Sequence, residues 1–123
     1  MKFFRIDLKD FKRLIAGDNK KDVQRNVTAH ELCLSYFWNI IDDHETAKRW
    51  DEDKKWAYSE ILSWCLLGSD RDFYKFWPWT LEKDLFPENH EYPEILPLQR
   101  RIKEMYYKFN DFGSFLENLL STN

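Results

Sequence analysis

The chain contains few residues that break helices or cross-link chains: its 123 residues include three glycines, four prolines and two cysteines. This composition excludes collagen-like, low-complexity and disordered proteins. Cys33 and Cys65 form no C-x-x-C pair, so we expect free, buried structural thiols. No run approaches the roughly 18 apolar residues that span a bilayer, and no secretory signal is present, so the sequence predicts a cytoplasmic protein without a membrane segment.

Motifs that carry chemistry are scarce as well. The isolated glycines exclude a glycine-rich phosphate loop, and no Ser-His-Asp arrangement or nucleophile elbow can be assembled. His30-Glu31 starts like a zinc-protease helix, but the second histidine of that motif would stand at position 34, which is Leu. The four side chains of Asp42–Glu45 diverge around a helix end and do not converge on one ion. His90, in a polar loop, is expected to be exposed. We therefore expect no enzyme, cofactor or metal.

The residues that are abundant indicate helices. Hydrophobic residues make up 43% of the chain and aromatic residues 18%, with apolar positions recurring at helical spacing and no segment alternating at period two. The sequence predicts an all-α, single-domain bundle of five or six helices over residues 1–123. A first helix is expected over residues 7–17, and a short aromatic helix over residues 70–78. The segment 18–26 is compatible with a loop or a helical turn.

Helix boundaries can be proposed from capping signals. Thr28 and Glu31 form a capping box, which predicts that a helix begins at Ala29. Apolar residues on two adjacent faces of this helix, among them Phe37, Trp38 and Ile41, predict that it is the most deeply buried helix and is surrounded by other helices. Asp51–Asp53 predicts the start of a helix that runs to Gly68. A further helix is expected over residues 97–109, with a core stripe of Leu98, Ile102, Met105, Tyr106 and Phe109. Ser114 and Glu117 predict the cap of a last helix.

The charge is distributed unevenly along the chain. Residues 28–99 carry fifteen acidic and seven basic side chains, whereas residues 1–27 carry four acidic and eight basic ones. An acidic middle repels nucleic-acid phosphates, so direct nucleic-acid binding is disfavoured. Six carboxylates flank the connection after the most buried helix, next to Trp50, and an indole near a helix end is suited to anchoring a partner. The predicted partner-binding residues are Asp42, Asp43, Glu45, Trp50, Asp51, Glu52 and Asp53.

In general character the chain resembles bacterial immunity proteins of the colicin or contact-dependent inhibition type. The resemblance implies a cytoplasmic inhibitor that covers the basic surface of a cognate toxin, often a nuclease, whose polyanionic substrate the acidic residues would imitate. Two other function classes stay open: a helical domain that binds a small molecule in an aromatic pocket, and a regulatory subunit of a larger assembly. The interface could instead lie in the aromatic and acidic stretch 77–94 or in the basic segment 1–27.

Overall fold

The computed structural model describes residues 21–68 and 88–123, and these residues form helices and no strand. The elements are α1 (Lys21–Asp43), a 3-10 turn (Ala47–Arg49), α2 (Glu52–Gly68), a second 3-10 turn (Pro93–Ile95), α3 (Leu96–Tyr106) and α4 (Phe112–Thr122). The all-α prediction is confirmed for this part of the chain. The helices expected over residues 7–17 and 70–78 lie outside the described residues.

Helix α1 already includes Lys21, eight residues before the predicted start at Ala29. Thr28 lies inside the helix and is exposed, so the predicted capping box is wrong. Val27 and Ala29, on either side of it, are both buried. A hydroxyl cap is worth about 1 kcal/mol, whereas burial of a valine side chain is worth about 1.5 kcal/mol or more, so packing extends the helix to the N-terminal side of the local start signal.

The most deeply buried helix is α2, not α1. Every residue from Ala57 to Ser63 is buried, whereas α1 leaves Leu32 and Tyr36 exposed, so the prediction that α1 is surrounded by other helices is wrong. The buried Ser63 hydroxyl of α2 donates to the Ser59 carbonyl at 2.7 Å, whereas the Ser59 hydroxyl is buried without a hydrogen-bond partner among the described residues. The predicted acidic start of α2 at Asp51–Asp53 is confirmed, and the helix extends to Gly68, the last residue of this described part of the chain.

The core lies where α1 and α2 pack together and where α3 and α4 meet them. Ile102 and Tyr106 of α3 are buried, and Leu98, Met105 and Phe109 pack against the core, so the predicted core residues are confirmed. The helix ends at Tyr106, three residues before its predicted end at Phe109. The largest apolar side chains that are completely or almost completely buried are Phe37, Ile41, Leu62, Cys65, Ile102, Phe115, Leu119 and Leu120.

The cap of α4 is Asp111, not Ser114. Asp111 has an extended backbone and its Oδ1 accepts the backbone N–H of Ser114 at 2.8 Å, while Oδ2 accepts the Ser114 hydroxyl at 2.9 Å. A carboxylate that accepts such an N–H stabilises the helix start through both the hydrogen bond and the helix dipole. Ser114 is therefore the capped residue, and the helix starts at Phe112.

Neither cysteine forms a disulfide, as predicted. Cys65 is completely buried, whereas Cys33 is half-buried, and burial raises the pKa of the Cys33 thiol to about 11. Among the described helices, none combines the length and the apolar character that crossing a membrane would require.

Candidate partner-binding site

The predicted site residues lie on residues 42–53, from the end of α1 to the start of α2, which we name the acidic connection. The structure brings its two ends together through an ion pair: Lys55 Nζ lies 2.7 Å from Asp42 Oδ1, and both side chains are largely buried, with exposures of 15% and 27%. The charge of Asp42 is therefore directed towards the protein itself.

Asp51 has a capping role at the other end of the connection. Its Oδ1 accepts the backbone N–H of Lys54 at 2.8 Å, and its carbonyl accepts that of Lys55 at 3.0 Å. Glu52 and Asp53 follow in the first turn of α2 and are exposed. Carboxylates are favourable at this positive end of the helix dipole. The stabilisation of the α2 N-terminus therefore accounts for the presence of Asp51, Glu52 and Asp53.

Asp43 and Glu45 are exposed, as a partner-binding role requires. Glu45 has one basic neighbour, with Lys48 Nζ at 3.7 Å, but side-chain exposures of 89% and 41% leave this pair weak. The carboxylates of the acidic connection that are exposed and whose side chains accept no hydrogen bond in the described part of the chain are therefore Asp43, Glu45, Glu52 and Asp53.

Trp50 is half-buried and packs against the core. Its ring lies 4.5 Å from that of Tyr58, and Lys54 Nζ lies 4.4 Å from the Trp50 ring centroid, within cation-π distance. One part of the indole thus belongs to the fold and another part stays accessible. Substitution of Trp50 would change stability as well as any contact with a partner.

His44 holds the acidic connection in place, a role that the sequence did not predict. Its Nδ1 accepts the backbone N–H groups of Thr46 and Ala47 at 3.1 and 3.2 Å, in front of the 3-10 turn. Its Nε2 lies 3.3 Å from Glu117 Oε1 of α4. No local pattern could have revealed this contact, because its two residues are 73 positions apart.

The cluster of His44, Glu117 and Ser121 resembles a hydrolase triad in composition but not in arrangement. Because two N–H groups donate to Nδ1, the neutral ring carries its proton on Nε2 and donates it to Glu117. The Ser121 hydroxyl donates to the same carboxylate at 2.7 Å. These hydrogen bonds hold the pKa of Glu117 below its usual value. Nε2 has no free lone pair to accept the serine proton, so this arrangement does not activate a nucleophile.

A second buried pair connects α1 and α2. His30 Nε2 lies 2.9 Å from Glu60 Oε2, and Glu60 is only 7% exposed. Glu60 also lines a small cleft together with Trp64, Tyr92 and Gln99, and its free volume of about 10 Å³ is room for about one water molecule. Pockets for drug-sized ligands usually exceed about 300 Å³. No group of three or more metal-ligating side chains converges anywhere in residues 21–68 and 88–123.

The remaining aromatic and histidine positions divide between core and surface. Trp38 is buried as predicted, and Trp64 is half-buried; Trp77 and Trp79 lie outside the described residues. His90 is exposed, which confirms the prediction, and its Nε2 lies 3.2 Å from Glu88. Glu88 also accepts hydrogen bonds from Arg100, which lower the pKa of that carboxyl. This surface group is a local ion-pair network.

Comparison with known proteins gives no relative to compare the site with: no protein-family model matches the sequence, and no curated protein or solved structure is significantly similar to it.

Proposed function

We propose that the chain is a cytoplasmic, acidic inhibitor, a single-domain bundle of five or six helices that binds and neutralises a cognate toxin with a basic surface, as bacterial immunity proteins do. One observation carries the proposal. Asp43, Glu45, Glu52 and Asp53 are exposed on a connection whose shape is fixed by other contacts. Charges on a preorganised support attract a complementary partner without an added ordering cost.

Three contacts supply that support. The Asp42–Lys55 pair joins the two helix ends, the Asp51 carboxylate caps α2, and His44 ties the connection to α4. Asp42 and Asp51 thus hold the site in shape, while the other four carboxylates provide the negative electrostatic potential that attracts a basic partner. A nuclease is a suitable target, because its substrate is a polyanion that binds to a basic surface.

The test measures association with the protein encoded next to this chain, the expected toxin. Replacing Asp43 and Asp53 by lysine (D43K/D53K) should slow association by about tenfold at low salt and weaken its salt dependence, because complementary charge mainly accelerates association. The matched control is E94K/E104K, which makes the same change in net charge at two other exposed glutamates. Surface plasmon resonance at two salt concentrations supplies both quantities.

The possible outcomes separate the site from the function. Equal slowing in both double variants would mean that overall charge acts, not the acidic connection. Slowing in neither would move the interface to residues 1–27, and slowing in the control alone would move it to the stretch 77–94, which contains Glu94. A wild-type chain that does not bind its neighbour's product would overturn the inhibitor proposal.

A small-molecule site is the second candidate, and the cleft beside Glu60 is the observation that favours it. A carboxylate next to Trp64 and Tyr92 would suit a small cationic group. A thermal-shift screen with small amines tests it, since a ligand of the folded state raises Tm with concentration. No shift in Tm with any amine would remove this candidate.

A further inference from the structure

Two large apolar side chains lie next to each other in solvent on the middle of α1. Leu32 is 58% exposed and Tyr36 is 59% exposed, and in the described part of the chain the one other large apolar side chain at least half exposed is Tyr107, at 50%. Residues four positions apart are neighbours on a helix surface, about 6 Å apart along the axis. Leu32 and Tyr36 therefore form a continuous apolar patch.

The same face of α1 leads to the acidic connection. Asp43, eleven residues after Leu32, is turned from it by only about 20° around the helix and lies about 16 Å further along the axis. Asp43 is also exposed. We name Leu32, Tyr36 and Asp43 the α1 stripe. The apolar patch of Leu32 and Tyr36 therefore lies on the same helix face as Asp43, the first exposed carboxylate of the acidic connection.

Leu32 and Tyr36 are not the side chains by which α1 packs into the core. The opposite side of α1 supplies the core contacts through Phe37, Trp38 and Ile41, all buried. The Tyr36 ring contacts the edge of Phe37, with centroids 5.5 Å apart, so it is held in position before any partner arrives. A tyrosine that is already ordered loses little entropy on binding, and tyrosines are frequent among the residues that dominate interface energies.

We propose that Leu32 and Tyr36 form the apolar anchor of the contact with the basic partner. This inference rests on the proposed function and specifies the partner's surface: a basic region for the acidic connection, bordered by an apolar depression that receives the two side chains. Charge selects this occupant over a second copy of the chain, because the stripe ends at Asp43, beside the exposed carboxylates of the acidic connection, and a second copy would carry the same negative charges.

The size of the patch supports the same occupant. Each partner in a standard interface buries roughly 800 Å², which two half-exposed side chains cannot supply. A contact restricted to this patch would be too small for a stable dimer. Combined with the exposed residues of the acidic connection, the patch supplies an apolar interface core that excludes water, which a charged surface alone lacks.

The experiment compares dissociation rates from the protein encoded next to this chain. The double variant L32Q/Y36Q should dissociate about 100-fold faster with almost unchanged association, because loss of an apolar anchor acts on dissociation. Glutamine keeps the helix propensity, so Tm should stay nearly constant. The matched control is Tyr107→Gln, whose ring is half exposed and packs on its neighbour Tyr106 at 5.5 Å, much as Tyr36 packs on Phe37.

The outcomes distinguish this inference from the function on which it rests. Wild-type binding with unchanged dissociation in L32Q/Y36Q overturns the apolar anchor and leaves the inhibitor proposal standing. Equal acceleration by Tyr107→Gln also overturns it, since the effect would then be general. Absence of wild-type binding overturns both. Sedimentation at several concentrations gives the last outcome: a wild-type dimer that L32Q/Y36Q abolishes would mean that a second copy covers the stripe, contrary to the proposal.

Discussion

His44 and Glu117 connect the acidic connection to the last helix: Nε2 of the imidazole lies 3.3 Å from Oε1 of the carboxylate. The histidine side chain is only 13% exposed, whereas that of Glu117 is 70% exposed. The other side of the same ring accepts two backbone N–H groups. His44 thereby fixes the path of the chain between α1 and α2.

His44→Leu should destabilise the protein by about 1 to 2 kcal/mol, because it leaves the N–H groups of Thr46 and Ala47 without their acceptor. His44→Asn should lose less, since its Oδ1 can stand where Nδ1 stood and accept the same groups. Urea unfolding of the two variants gives the comparison. Equal losses in both would show that the contact with Glu117, not the backbone acceptor, is what matters.

The Asp42–Lys55 pair should be coupled in folding. Its side chains are 27% and 15% exposed, so solvent screens the pair only partly, and we expect a coupling energy of about 1 kcal/mol in a double-mutant cycle with D42N and K55Q. The Glu45–Lys48 pair is the matched control: it is longer, at 3.7 Å, and largely exposed. E45Q and K48Q should give a coupling close to zero. A larger coupling in the control pair would contradict the structural role assigned to Asp42.

Asp111 should make folding sensitive to acid. The N–H and hydroxyl of Ser114 donate to its carboxylate and hold its pKa below the ordinary value of 3.8. A lowered pKa means that the contribution to stability is complete above the ordinary value and is lost as pH falls through the lower, folded value. Asp111→Asn keeps a capping oxygen but does not titrate, so the stability difference between wild type and this variant should shrink below about pH 4. A difference that stays constant from neutral pH down to pH 2 would contradict this account; urea unfolding at several pH values measures it.

Sequence patterns predicted the elements whose ends carry strong local signals. Helix α2 starts beside a capping aspartate, and this start was predicted. In α4 the local signal was ambiguous: Asp111 and Ser114 are both good caps, and only the extended backbone at Asp111 decides between them. At Thr28 the signal was misleading, because burial on both sides of that residue continues the helix.

The position of the candidate site could be predicted from the sequence, but not which of its carboxylates are exposed and which stabilise the fold. Exposed and structural carboxylates look the same in a sequence, and the difference between Asp43 and Asp42 comes from Lys55, thirteen residues after Asp42. The exposure of Leu32 and Tyr36 was also missed. Apolar residues on every side of α1 predicted full burial, but the described helices pack on one side of it and leave the α1 stripe in solvent.

The state of the two thiols makes the chain convenient for site-specific spectroscopy. With a pKa of about 11, Cys33 is a thiolate in only about one molecule in ten thousand at neutral pH, and Cys65 has no solvent-accessible surface. Maleimide dyes react with thiolates, so both native cysteines should remain unlabelled during a short reaction. A single cysteine introduced at exposed Glu45 would therefore carry the only fluorophore, without prior removal of Cys33 or Cys65. Its emission would report directly on whether a partner covers the acidic connection.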